Sequence, residues 1–221
     1  MVIVGSWDKT NLAIERLRAE RKIVTIDGKE YFNGRRVIGR DTPLDNGVYI
    51  GEVSQNGDEV REAITVDFER SPRLVSLYYD VHKEAQEHGA MYRASLLRTV
   101  YDSVAKALPT QTNTAVQDML RKYSIGPDGE LDLNTFLENG IGVCRHDSLA
   151  CGVLLERFKK DGVLRGSVSV DRNGLGIFGS HAWCRYTTSH GSVWILDVRQ
   201  NFFGSIEESK HWLYRRPEEQ E

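Results

Sequence analysis

A cysteine, a histidine and an aspartate follow one another in the second half of the chain, each in a setting that would make it chemically useful. They are Cys144 in Gly142-Val143-Cys144-Arg145-His146, His181 in His181-Ala182-Trp183 and Asp197 in Trp194-Ile195-Leu196-Asp197. A thiol attacks only as thiolate, and an ordinary cysteine with pKa ~8.5 is mostly protonated at neutral pH. An imidazole that takes the proton, a helix N-terminus that favours the anion and a carboxylate that orients the imidazole together remedy this. The chemistry these three types suit is nucleophilic attack on an acyl carbon.

The elements that must position them can be read from the apolar pattern. Ala150, Val153, Leu154 and Phe158 predict a helix over 143–160 that opens at Cys144, so the nucleophile meets unpaired N–H groups and the positive end of the helix dipole. The backbone N–H of Cys144 or a neighbour is then one candidate oxyanion donor. Three strands are expected to follow: Leu164–Val170, Ala182–Thr187 and Val193–Val198. Side chains alternate along a strand, which sets His181 and Trp183 on one face and Ala182 and Cys184 on the other. An antiparallel hairpin pairing Thr187 with Gly191, through the three-residue loop Thr188-Ser189-His190, would bring His181 directly opposite Asp197.

Gly-x-Cys-Arg at a helix start, His-Ala-Trp on a strand and Trp-x-x-Asp on the next resemble the transglutaminase-like branch of the papain-type thiol enzymes. The resemblance covers roughly the last half of the chain. It implies an α+β fold in which a helical layer with the nucleophile helix packs on an antiparallel sheet. It implies Cys144 as nucleophile, His181 as acid and base and Asp197 as orienter, with Gly142, Arg145, His146 and Trp183 in substrate-binding or supporting roles. His146 departs from the commonest pattern, in which an acidic or small residue stands there. The implied reaction passes through an acyl-thioester, resolved by water or by an amine, on a peptide or protein substrate and with no metal or organic cofactor. The family usually draws a second oxyanion donor from upstream, where Gln111, Gln117, Asn134 and Asn139 are candidates. A competing expectation is a catalytically silent interaction module with the same fold.

The rest of the chain frames this. Its 221 residues suffice for one good core, or for one domain with a small appendage. With 40% hydrophobic and 28% charged residues it has the composition of a globular protein. A net charge of -3 gives no basic surface for nucleic acid or anionic membrane. Neither a secretory leader nor a membrane-spanning apolar run is evident, so a soluble, cytoplasmic protein is expected. Cys144, Cys151 and Cys184 are an odd number, which argues against a disulfide framework; Cys151 and Cys184 read as core.

Residues 1–70 read as a β-hairpin-rich N-terminal extension without a chemical constellation. It has a short helix from Asp8 or Thr10 to Arg21, turns at Asp27-Gly28, Asn33-Gly34, Asn46-Gly47 and Asn56-Gly57, and strands Val48–Val53 and Ala63–Phe68. Residues 71–214 form the expected main domain, with helices opened by Ser71-Pro72, carrying Leu96 to Leu108, and capped by Asn113. A shorter one is capped by Asp132 and stopped by Gly140. Residues 215–221 read as a polar tail, with fraying expected past Trp212.

Three motifs point elsewhere and fail on their context. Ser124 to Thr135 contains an Asp-Gly-x-Leu step of a calcium loop but lacks most of the oxygen ligands. Cys144, His146, His181 and Cys184 have zinc-ligand types, but the strand sends His181 and Cys184 to opposite faces. Gly174-x-Gly176-x-x-Gly179 spells a dinucleotide fingerprint without the helix that must follow it. Those glycines lead straight into His181 and suggest a mobile substrate-gating loop.

Overall fold

The computed structural model describes residues 8–55, 58–87, 93–123, 125, 129–174, 180–210 and 214–219. Strands flank a helical middle, and the change of hydrophobic period along the chain is the reason. The N-terminal part holds α1 (Asp8–Ala19), β1 (Ile23–Ile26), β2 (Lys29–Phe32), β3 (Arg35–Val37), β4 (Gly47–Gln55) and β5 (Asp58–Val66). Asp27 and Gly28 (φ 49° and 71°) and Asn33 and Gly34 (φ 48° and 78°) make both two-residue hairpin turns with left-handed backbone, as their types predict. Asn46-Gly47 is no hairpin: it leads into β4, which runs parallel to β3. The Asn56-Gly57 pair lies outside the described residues.

The middle holds α2 (Pro72–Glu87), α3 (Arg93–Ala107), α4 (Asn113–Lys122), β6 (Glu130–Asp132) and α5 (Leu133–Asn139). Thr112, not Asn113, caps α4: its hydroxyl accepts from the Ala115 N–H at 3.2 Å. Asp132 caps α5 and Gly140 ends it in the left-handed region (φ 64°). Asp132 also accepts from Thr65 Oγ1 (2.9 Å) and Ser71 Oγ (3.0 Å), so one carboxylate fastens β5, the start of α2 and α5. The stretch expected only to turn before α5 thus contains β6, which joins β5 in parallel and completes a six-stranded sheet ordered β1-β2-β3-β4-β5-β6. Of the candidate calcium loop, Ser124 and residues 126–128 lie outside the described residues.

The last part begins with α6 (Cys144–Lys160). The strands β7 (Gly166–Gly174), β8 (Ser180–Thr188), β9 (Val193–Asp197) and β10 (Phe202–Ser205) follow as an antiparallel sheet ordered β10-β9-β8-β7. Helix α6 packs across β7, β8 and β9 and against α3. The molecule is therefore of mixed α+β class. Its main core runs from Ile38, Tyr49 and Ile64 through Leu74, Val100 and Phe136 to Leu154, Val170 and Tyr186, so the N-terminal sheet shares the helices' core. The other face of that sheet makes a smaller core with α1, from Leu17, Phe32, Val48 and Ile50.

The segment expected to fray instead docks. Tyr214 is buried, Arg216 donates to Asp171 (2.7 and 2.8 Å) and Ser169, and Glu219 accepts from Arg185. Arg216 also reaches Asp41 (3.0 Å), and Arg40 reaches Glu218 (2.7 Å), so the N-terminal segment and this one are tied together. Among the described residues, no helix is long and apolar enough to cross a membrane.

Candidate active site

Cys144 is the first residue of α6, with extended Val143 as its N-cap. Its N–H has no acceptor within the helix. Gly142 allows this entry: a Cβ there would stand 3.2 Å from both His146 Cβ and Leu108 Cδ1, while its N–H donates to Thr110 O at 2.9 Å. His181 hydrogen-bonds Cys144 and the N–H of Ala182 bonds the sulfur as well. Burial alone would raise the Cys144 thiol, but His181 through its bond and charge, the Arg145 charge and the Ala182 N–H outweigh it and hold the thiol below its ordinary value.

His181 Nε2 lies 2.6 Å from Asp197 Oδ2, which leaves Nδ1 for the sulfur. Burial disfavours the imidazolium, yet its bonds to Asp197 and Cys144 and their charges push His181 up to about 10. The two shifts favour the same species, a thiolate beside an imidazolium, while Asp197 remains an acceptor.

The hairpin meets this geometry by another register than expected. Thr187 pairs with Val193, Thr188 N–H donates to Ser192 O (2.9 Å), and the loop is Ser189-His190-Gly191 with Gly191 left-handed (φ 86°). The loop has the expected three residues, moved along by one, and the register has moved by two. An even shift preserves the face, so Asp197 stays on the side of His181, but it falls opposite Trp183 and is reached diagonally. The faces separate as alternation demands. Trp183 and Ile195 cluster with Ile206 and Tyr214, whereas Cys184, Tyr186 and Leu196 belong to the main core.

The supporting residues divide. Trp183 is buried, 6.1 Å from the His181 ring and edge-on to Tyr214 at 5.2 Å, so it walls the imidazole. Arg145 Nε donates to Glu62 of β5, a carboxylate 1% exposed. Burial would raise Glu62, but the Arg145 charge brings it down to about 2. His146 points away from the sulfur: its Nδ1 accepts from the Val143 N–H at 3.1 Å, and burial holds it below its ordinary value, hence neutral. Cys151 and Cys184 are buried, and burial pushes both thiols up, opposite in direction to Cys144.

Of the four candidate oxyanion donors, Asn134 donates to Glu138 and Asn139 to the Thr135 carbonyl, so both amides are engaged within α5. Gln111 stands by the site: it donates to Asp147 Oδ1 (2.8 Å), one helical turn below Cys144, and to Leu108 O (2.9 Å). Asp147 is buried, and this together with the neighbouring Cys144 and Asp197 charges pushes it up to about 7 despite the Gln111 bond.

Sequence reasoning missed two residues. Tyr214 donates to Asp197 Oδ2 at 2.8 Å, beside the His181 bond, and its own phenol is pushed well up by burial and that carboxylate, so it stays a donor. No periodicity marks it. Glu62 did carry a signal: it shares strand phase with the buried Ile64 and Val66, and a charged residue on an inward phase needs a partner. The glycine-rich segment 174–179, read as a gate, lies outside the described residues but for the Gly174 backbone. Among the described residues no cluster of three or more His, Cys, Asp or Glu has the form of a metal site. Comparisons with family models, with curated proteins and with solved structures return no match to this chain.

Proposed function

We propose that the protein is a cysteine-dependent enzyme acting on amide bonds of peptides or proteins, with a transglutaminase-like, papain-type core. The observation that carries this reading is His181, whose Nε2 lies 2.6 Å from Asp197 and whose imidazole pairs with the Cys144 thiol at the head of α6. The Cys144 thiolate attacks the amide carbon; the C–S bond forms and the carbonyl oxygen becomes an oxyanion facing the Cys144 N–H. Collapse breaks the C–N bond, and the proton on His181 Nδ1 leaves with the amine. Water or a second amine then attacks the thioester while His181 takes its proton, and the C–S bond breaks to restore the thiolate. Asp197 holds the imidazole throughout and does not itself take a proton. Hydrolysis, deamidation and transamidation share these steps: the first two take water and differ in whether a peptide or a side-chain amide is attacked, and the third takes an amine.

The test is the pH dependence of iodoacetamide alkylation, read by intact mass and peptide mapping, in the wild type and in His181→Ala. Selective modification of Cys144 with an apparent pKa well below ~8.5, lost in His181→Ala, supports the reading and directs a screen of amide substrates. A Cys144 that is inert, or indifferent to His181, overturns it in favour of an interaction module.

A further inference from the structure

The residue after Cys144 and the residue before it are both tied to one distant carboxylate, the first directly and the second through His146. Glu62 belongs to β5 of the N-terminal sheet, more than eighty positions away in sequence. One oxygen, Oε2, receives Arg145 Nε, the residue after the nucleophile. The other, Oε1, lies 3.3 Å from His146 Nε2, within ion-pair range, and neither of these two buried atoms has an aligned hydrogen-bond partner among the described residues. The His146 ring is fully buried and packs on Phe136 with centroids 3.9 Å apart, so it has no freedom to turn elsewhere. Its Nδ1 accepts the N–H of Val143, the residue before the nucleophile.

The tautomer follows from these contacts. An Nδ1 that accepts an N–H carries no proton, so the proton of the neutral ring sits on Nε2 and faces Glu62. The result is a closed circuit: Glu62 to Arg145 on one side, and Glu62 to His146 to the Val143 N–H on the other, with Cys144 between. His146 does for the N-cap N–H what a glutamate does in a capping box, but it is oriented by a residue outside the helix. We propose that Glu62 is a positioning residue that fixes the backbone of the nucleophile turn, holding Arg145 directly and Val143 through the Nε2–H tautomer of His146. This rests on the reading of Cys144 as nucleophile for its meaning, but not for its geometry. It makes the N-terminal sheet a working part of the site.

Glu62→Gln tests it. A carboxamide offers one oxygen and one NH2, so whichever way it turns, one of Arg145 and His146 meets a donor instead of an acceptor. Arg145 can only donate, so the amide oxygen stays with it and the NH2 faces His146, which can answer only by moving its proton to Nδ1 and so ending the Val143 bond. The expected results are a change of the His146 ring nitrogen signals from the Nε2–H to the Nδ1–H pattern, and Cys144 alkylation at pH 7 slowed by about tenfold or more. Charge alone predicts the opposite sign, because removing a carboxylate leaves Arg145 uncompensated and favours the thiolate. A folded Glu62→Gln protein that alkylates as fast as wild type, or faster, therefore overturns the proposal. Should that variant not fold, Glu62→Asp keeps the charge and withdraws one contact; an alkylation profile matching wild type in the folded Glu62→Asp protein overturns it equally. An Nδ1–H His146 in the wild type does so without any variant. The ring signals do not depend on whether Cys144 is a nucleophile, so a failure of the functional reading, seen as indifference to His181→Ala, is separable from a failure here.

Discussion

The two sheets serve the same cysteine in opposite ways. The four-stranded sheet presents its contribution on adjacent strands, with His181 on β8 and Asp197 at the end of β9, and the residues act on the sulfur or on each other. The six-stranded sheet presents a single buried carboxylate that never touches the sulfur and acts on the residues around it. On the proposed reading, chemistry is concentrated where neighbouring strands bring polar groups together, whereas positioning needs only one well-buried charge from elsewhere in the chain.

The sharpest way to break this contrast is Asp197→Ala, which strips both His181 and Tyr214 of their acceptor inside a buried site. Breaking a buried charged pair costs about 3–5 kcal/mol, and urea unfolding should show a loss of that order together with loss of Cys144 reactivity. A loss near that of an exposed pair would remove Asp197 from its central place.

Tyr214→Phe is gentler. It deletes one hydrogen bond to a charged group, worth about 1.5–3 kcal/mol. It should lower the urea midpoint while Cys144 remains sensitive to His181→Ala, because the His181 bond to Asp197 survives. Equal loss of reactivity in Tyr214→Phe and Asp197→Ala would promote the tyrosine to a full member of the constellation.

The alkaline limb sharpens the same side of the comparison. His181 is raised, so its share of stability is full below its unfolded pKa of ~6.5 and is lost as pH rises through about 10. Cys144 is lowered, so its share is full above ~8.5 and is lost as pH falls through its folded value. Together the pair should hold its contribution at pH 8.5 and lose it towards pH 10. The melting temperatures of wild type and His181→Gln, measured at both values, should converge by a few degrees at the higher one; parallel curves would deny the ion pair.

Glu30→Gln gives the smallest effect and the useful control. Glu30, also in the N-terminal sheet, accepts from Arg18 at 2.5 and 2.9 Å, but the Arg18 side chain is 50% exposed. An exposed pair is worth about 0.2–1 kcal/mol, so thermal unfolding should shift little and Cys144 alkylation not at all. A change in alkylation would show that any charge in the sheet reaches the cysteine, and Glu62 would lose its distinction.

How much of this was legible follows from where each signal sits. The helix at Cys144, the strands of His181 and Asp197 and the face they share came from period alone, and both Gly-containing hairpin turns near the N-terminus came from backbone preference. The register could not be had that way. Two loops of three residues, Thr188-Ser189-His190 and Ser189-His190-Gly191, are alike in length, and what separates them is the left-handed place that Gly191 fills. Strand β6 escaped because three residues carry no period, and its existence depends on β5 lying beside it. Tyr214 and Arg216 looked like the start of a polar tail because their partners, Asp197 and Asp171, are distant in sequence and invisible to a local window.

The tie between Arg40 and Glu218 spans 178 positions. Closing so large a loop carries an entropic cost that no helix in the chain has to meet, and contacts of this kind form late. In a refolding experiment the helical signal should therefore return first, and a protein that already looks folded by circular dichroism should still lack a reactive Cys144 until the Tyr214 segment has found its place.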